Sequence, residues 1–323
     1  MWKISNEINK PTLIRYQRII ISFFELVIEQ SKSPNKLADL ETDNFLKHLF
    51  HETAFLDEKL LDINISTDDK FEPLVKEIIK LNPALLSRQY EIFKWQNSEI
   101  SKGNYNFDPE IHPDSLKKIF KDYFYDKFFG IDWIWKELIG KKFNRGIFKT
   151  NFKLENELYV CPYCDSDTIS NERNGWIEHF LPKSKFPYLS CNPFNLIPSC
   201  TACNVAGSGK GENVKNPIHC QYNIQSGDYL EFAYANGEII IVENEDASVE
   251  NFIELLKLRN RYKEQAVKIS AINRLKINYD IFLGIKRRGE FDRDSFFDYI
   301  YRIGRNSGFF FVQRDLLNHI GEI

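Results

Sequence analysis

The sequence lacks any apolar run approaching the 18 or more residues that a membrane helix needs; its best stretch, Ile19 to Phe24, is short and flanked by Arg18 and Glu25. The opening MWKISNEINK also lacks the apolar core of a secretory signal. A cytoplasmic protein with no membrane partner is therefore expected. No internal repeat or low-complexity tract is evident. Charge of one sign is scarce as well. The net charge is −3, with 23 cations against 23 acids in residues 1 to 150, 6 against 14 in 151 to 250, and 14 against 9 in 251 to 323. So little global charge would not recruit a nucleic acid, and local patches outside the acidic middle would have to supply the attraction.

Cysteine is sparse, and its placement is informative. The six cysteines stand at 161, 164, 191, 200, 203 and 220. Disulfides of a secreted scaffold would be spread through a short chain, whereas clustered Cys-x-x-Cys pairs in a cytosolic protein indicate metal. Cys161-Pro-Tyr-Cys164 and Cys200-Thr-Ala-Cys203 can enclose one zinc tetrahedrally, at roughly 2.3 Å per sulfur, with no coordination position left open. Such a zinc is structural and fastens the entry of a loop-rich segment to its exit. Cys191 and Cys220 lack that spacing and read as reduced, buried thiols.

The chain has 323 residues, 43% hydrophobic and 15% aromatic, enough for a substantial core and more than one unit. Residues 1 to 150 read as helical, with apolar residues at helical spacing over Leu13 to Glu29, Pro73 to Trp95 and Ser115 to Leu138, and carry no chemical signature. Residues 141 to 160 read as an extended basic connector. Residues 161 to 220 have the Cys, Asn, Pro and Gly content of loops. Within them a turn at Asn174-Gly175 launches a short strand over Trp176 to Phe180, Leu196 to Ser199 is its antiparallel partner, and a helical turn opens near Thr201. Asn236-Gly237, between two β-prone runs, marks a hairpin. From Val249 the chain again reads as helical, first over Asn251 to about Leu283. The expected fold class is α+β: a helical domain over 1–150, a zinc-stapled core with the hairpin over 151–248, and C-terminal helices over 249–323.

Between the two cysteine pairs stand Glu178-His179 and then Asn195, and Asn204 directly follows the last cysteine. Strand alternation would turn Glu178 and His179 to opposite faces unless the strand ends there, and Pro182 favours such an end. The wording CPYC, EHFLPKS and NLIPSC-TACN resembles the HNH endonuclease superfamily with its ββα-metal fold, in the subclass stapled by a four-cysteine zinc. The match covers roughly residues 158 to 216; the final letter of the family name is an Asn in this chain, and Glu178 replaces the commoner Asp. The resemblance implies that His179 is the general base that deprotonates water for attack on a phosphodiester, held by the loop around Asn195. It implies further that Glu178 and Asn204 ligate one catalytic Mg²⁺ or Mn²⁺, ions that hard oxygen donors suit better than they suit zinc. One histidine and one metal can divide phosphodiester hydrolysis between activating the nucleophile and neutralising the leaving oxygen.

More loosely, the EHFLPKS wording and the helical tail resemble HNH nucleases of bacterial anti-phage systems, including Septu-type and retron-associated effectors, which often work beside an ATPase or another sensor subunit. On that analogy residues 1–150 are a docking or regulatory module. DNA, double-stranded first, is the expected substrate. Lys183 and Lys185 beside His179, and Lys257, Arg261 and Lys268 along one face of the expected Asn251 helix, are the candidate phosphate contacts. On that helix Leu255, Leu258, Tyr262, Ala266 and Ile269 would pack on the body. The connector's Lys141, Lys142, Arg145, Lys149 and Lys153 and the loop Lys286-Arg287-Arg288 are further candidates, and nothing reads as a sequence-specific base reader. The residues leave two other readings open: a non-catalytic zinc module that binds nucleic acid or a protein, and a sequence-specific restriction or homing enzyme.

Overall fold

The computed structural model describes residues 1–33, 71–169, 175–205, 207, 209–285 and 292–321. Helix α1 (Lys10–Ser31) buries Tyr16, Ile20, Phe23, Phe24 and Val27 against α2 (Phe71–Ile79) and α3 (Pro83–Ser101). The single helix expected from Pro73 to Trp95 is thus broken. Pro83 opens a new helix, and the Asn82 side chain caps it by accepting from the Ala84 N–H at 2.8 Å. Helix α4 (Asp114–Lys118) runs on as a π-helix over Ile119–Lys127. That wider winding, common at functional sites, brings Lys121, Asp122, Tyr125 and Asp126 to the cleft described below. Helix α5 (Asp132–Ile139) sets Trp135 among Tyr16, Phe129 and Phe143.

The connector expected to be extended is largely helical, forming α6 (Arg145–Asn156). Phe148 and Phe152, four residues apart, are buried on one face, and the Asn144 side chain accepts from the Ile147 N–H at 2.9 Å. Strand β1 (Gly175–His179) then pairs antiparallel with β2 (Leu196–Cys200), with Gly175 opposite Cys200 and His179 opposite Leu196. The short helix α7 (Thr201–Asn204) follows at once. The order strand, long loop, strand, helix is the one the sequence implied; Asn174, expected to turn into β1, lies outside the described residues. Strands β3 (Phe232–Ala235) and β4 (Glu238–Ile241) form the expected hairpin, with Asn236 and Gly237 at φ of 53° and 77°.

Helices α8 (Ala247–Leu255), α9 (Leu258–Lys263) and α10 (Gln265–Ile285) replace the continuous helix expected from Asn251 to Leu283. Lys257 adopts a left-handed conformation, φ 51°, and Glu264 is extended, so the side-chain phase is reset at each. Leu255, Leu258 and Tyr262 are buried as expected, but Ala266 and Ile269 are exposed and Lys268 is buried. The common basic face of Lys257, Arg261 and Lys268 does not form. Lys268 Nζ bonds the Glu238 carboxylate at 2.6 Å, and Arg261 reaches both Asp167 and Glu264 at 2.5 Å. Helices α11 (Arg293–Ser307) and α12 (Phe310–Leu316) complete the C-terminal part, and Lys286-Arg287-Arg288 lies outside the described residues.

Among the described residues the apolar side chains gather into two cores that cut across chain order. One joins Met1, Trp2 and Ile4 to the four paired cysteines, the hairpin and the C-terminal helices. The other joins the N-terminal helices to Tyr188, Cys191 and Leu196. Tyr188 sits among Phe24, Phe93 and Phe120 at ring separations of 5.7, 6.0 and 4.7 Å. The helical bundle therefore backs the loop that joins β1 to β2.

Because α6 is held at its start by the Asn144 cap, Asn144→Ala is expected to cost about 0.5–2 kcal/mol. The shift of the urea midpoint measures it, and an unchanged midpoint would count against the cap.

Candidate functional site

The sulfur atoms of Cys161, Cys164, Cys200 and Cys203 lie within 4.8 Å of one another, all buried. A tetrahedron with Zn–S bonds of about 2.3 Å has edges of about 3.8 Å, and the Cys164 and Cys200 sulfurs are 3.7 Å apart. Cys161 Sγ accepts from the Cys200 N–H at 3.3 Å, and Ser166 Oγ donates to Cys164 Sγ at 3.1 Å. These donors favour thiolates, and the Cys161 sulfur beside Cys164 contributes most to pulling the Cys164 thiol well below its usual value. Four buried sulfurs so close together need a cation to ionise together, and the group can hold a zinc ion. Cys191 and Cys220 stand apart, buried and pushed up to about 12 by burial.

The frame sits beside an open cleft of about 1030 Å³. Strand β1 ends at His179, and Glu178 and His179 both line the cleft, with Asn204 from α7, Lys183 from the loop and Lys257 from the turn before α9. The sequence-derived residues Glu178, His179, Asn204, Lys183 and Lys257 thus come together. Lys185 is exposed and outside the cleft lining, Arg261 and Lys268 are occupied as ion-pair partners elsewhere, and Asn195 lies beneath the site.

Asn195 is fully buried and works as a clip. Its Nδ2 donates to the carbonyls of Leu181 and Leu189 at 3.0 and 3.2 Å, and its Oδ1 accepts from the Leu181 N–H at 2.7 Å. These bonds close the loop that carries Ser190. His179 Nε2 is 2.9 Å from the Ser190 carbonyl oxygen, which can only accept, so Nε2 carries the proton and Nδ1 keeps the lone pair. The ring packs edge-on to Tyr125 at 4.3 Å, and the Tyr125 hydroxyl donates to the Ile177 carbonyl at 3.1 Å. Burial, aided by the Lys183 charge, pushes the His179 imidazole down to about 3 and keeps it neutral.

Several cleft residues were missed by sequence reasoning. Lys210 Nζ is 3.4 Å from Glu178 Oε1 with its side chain 4% exposed, and burial raises Glu178 and lowers Lys210. Two expected candidates also line the cleft: Arg145 of the connector donates to the Tyr125 carbonyl at 3.1 Å and stacks over the Tyr125 ring, and Lys183 binds Asp126 at 2.6 Å. Trp176, half exposed, stands on the rim. Lys210 lies within a Gly-rich stretch that could have been read as a tight turn after the knuckle; the pairing of Asp126 with Lys183 spans 57 residues and left no local signal.

Behind the loop, Gln89 Oε1 accepts from His112 Nδ1 at 2.7 Å and from the Tyr188 hydroxyl at 2.6 Å, and His112 Nε2 is buried without a partner among the described residues. A second proton on His112 would be buried unpaired, and burial lowers this group to about 4.

No family model matches the chain, and no solved structure matches it. Among curated proteins, 126 aligned residues are 30% identical to protein ea31 of Escherichia phage lambda, covering 33% of this chain and 41% of that protein. An alignment of 65 residues is 40% identical to Septu protein PtuB of Bacillus thuringiensis, covering 20% of this chain and 25% of that protein. The chain spans less than half the length of either relative.

The cysteine frame predicts about one zinc per chain by elemental analysis, and Cys161→Ser or Cys203→Ser is expected to lose the zinc and unfold the β1–β2 segment, seen as lost near-UV dichroism. For His112, the unfolded chain takes up a proton below about pH 6.5 and the fold only near 4, so the unfolded state binds more protons in between. Its contribution to stability is therefore complete above 6.5 and is lost as pH falls toward 4. Denaturation midpoints between pH 7 and 4 should fall for wild type and less steeply for His112→Gln.

Proposed function

We propose that the chain is a metal-dependent endonuclease of the HNH type that hydrolyses phosphodiester bonds of DNA, double-stranded DNA first, in bacterial defence against phage. The observation that carries this reading is His179: a neutral imidazole, its tautomer set by the Ser190 carbonyl, in one cleft with Glu178 and Asn204 beside a four-cysteine frame. The partial likeness to a Septu protein supports the defence role. A non-catalytic zinc module would need the cysteines but not this grouping.

The base is His179 Nδ1, which takes a proton from water as the water attacks phosphorus. Burial, with the charges of Lys183 and Lys210, holds the imidazole low, and the negative charge of a bound phosphodiester offsets both cations and moves the base toward working pH. Asn195 and Ser190 keep the ring oriented through the step. Glu178 and Asn204 supply a carboxylate and an amide that makes no hydrogen bond among the described residues. Two oxygen donors in an open cleft fit a Mg²⁺ or Mn²⁺ that takes its other ligands from water and phosphate. Such an ion would neutralise charge on the leaving 3′ oxygen. Residues 1–150 would dock a regulatory subunit such as an ATPase.

The test is cleavage of supercoiled plasmid by zinc-loaded protein in Mg²⁺, in Mn²⁺ and without either. His179→Gln is the proper variant, since alanine would leave a void against Tyr125. Cleavage should require the added ion, leave 5′-phosphate ends, and fall by about 100-fold or more in the variant. A variant that cuts within tenfold of wild type would remove the reading.

A further inference from the structure

Lys210 acts on His179 only through its charge, and its own ammonium, with the side chain 4% exposed, has no ligand assigned to it. Its backbone is pinned: Lys210 N–H donates to the Cys203 carbonyl at 2.8 Å, and Gly211 N–H to the Leu255 carbonyl at 2.6 Å. Gly209 permits the approach, because a Cβ there would lie 2.6 Å from the Cys203 carbonyl oxygen. The chain is thus pressed against the zinc knuckle so that the ammonium enters the cleft from below.

The ammonium is poorly satisfied. Its contacts are Glu178 Oε1 at 3.4 Å and the Gly211 carbonyl at 3.3 Å. Both exceed the roughly 2.7–2.9 Å of a good charge-assisted bond. A desolvated ammonium with three donors and two long contacts lacks a close acceptor among the described residues, and its side chain is 4% exposed beside an open cleft. Lys183 differs: it already holds Asp126 at 2.6 and 2.8 Å.

We infer that Lys210 is a phosphate clamp, its ammonium taking a non-bridging oxygen of a phosphodiester and setting the phosphorus between Glu178 and His179 with no divalent ion needed for that contact. This rests on the nuclease reading for the substrate class, and its chemistry is that of a phosphate anion. A diester of a nucleic-acid strand fits better than a free phosphate, since the cleft extends well beyond one anion.

The experiment uses the full chain with its zinc, in buffer stripped of other divalent ions, titrated calorimetrically with a short oligothymidylate lacking terminal phosphates and separately with inorganic phosphate. The oligonucleotide should bind; Lys210→Met should weaken it about tenfold or more, and Lys210→Arg should restore most of the affinity. Equal binding by Lys210→Met, or no binding by wild type, overturns the clamp. Inorganic phosphate bound as tightly as the oligonucleotide overturns the diester assignment.

Because Lys210→Met strands the Glu178 charge, Glu178→Gln and the double variant are titrated as well, with zinc content and near-UV dichroism as the check on folding. Glu178→Gln should bind more tightly, with the ammonium freed, and the double variant should lose that gain. A double variant that binds like Glu178→Gln overturns the clamp. Binding lost in Lys210→Met while wild type shows no Mg²⁺-dependent cleavage would leave the clamp standing and remove the nuclease, whereas cleavage by both proteins with equal KM would do the reverse.

Discussion

Four sulfur atoms brought within 4.8 Å hold together a segment whose own composition is that of loops. Cys161 and Cys164 precede β1, and Cys200 and Cys203 close β2 and shape α7, so the convergence of the four sulfurs, which could hold one zinc ion, sets where the strand pair begins and where Asn204 leaves it. The cleft inherits this geometry: Cys203 lies in its wall, and the Lys210 N–H is tied to the Cys203 carbonyl. A five-residue strand pair carries too few contacts to fix such positions alone.

The second support is the aromatic bundle behind the β1–β2 loop. Tyr188 enters a cluster of phenylalanines, Asn195 ties both ends of the loop, and Ser190 meets the imidazole as a result. Burial then decides the state of each polar group. It keeps His179 neutral, raises Glu178 and lowers Lys210, so the cleft gathers a histidine, a carboxylate and an ammonium that each lack full solvation. Such groups are stabilised by a ligand that brings the missing charge or hydrogen bond, which is why perturbed groups gathered in one cleft mark it as a candidate site.

Sequence reasoning went wrong where it assumed unbroken periodicity. The residues from 251 to 283 show helical spacing throughout, yet Lys257 and Glu264 each leave the helical region, and the basic stripe dissolves into Lys268 paired with Glu238 and Arg261 paired with Asp167 and Glu264. The connector misled in the opposite direction, its helix resting on a cap at Asn144 and on Phe148 and Phe152 rather than on propensity. Charge counting was least informative, because whether a lysine is free depends on acids distant in the chain.

The sequence by itself determined the elements whose signals are local: the cysteine pairs, the strand ended before Pro182, the Asn-Gly hairpin and the long first helix. It also placed Glu178, His179 and Asn204 near one four-cysteine frame, because the spacing of the two Cys-x-x-Cys pairs keeps those neighbours close. Tertiary structure alone decided which nitrogen of His179 keeps its lone pair, which cations are spent on ion pairs, and that Lys210 lies buried beneath Glu178. Those outcomes depend on contacts such as Asp126 with Lys183 and Glu178 with Lys210, whose partners are brought together by packing, and on burial, which no residue carries in its own identity.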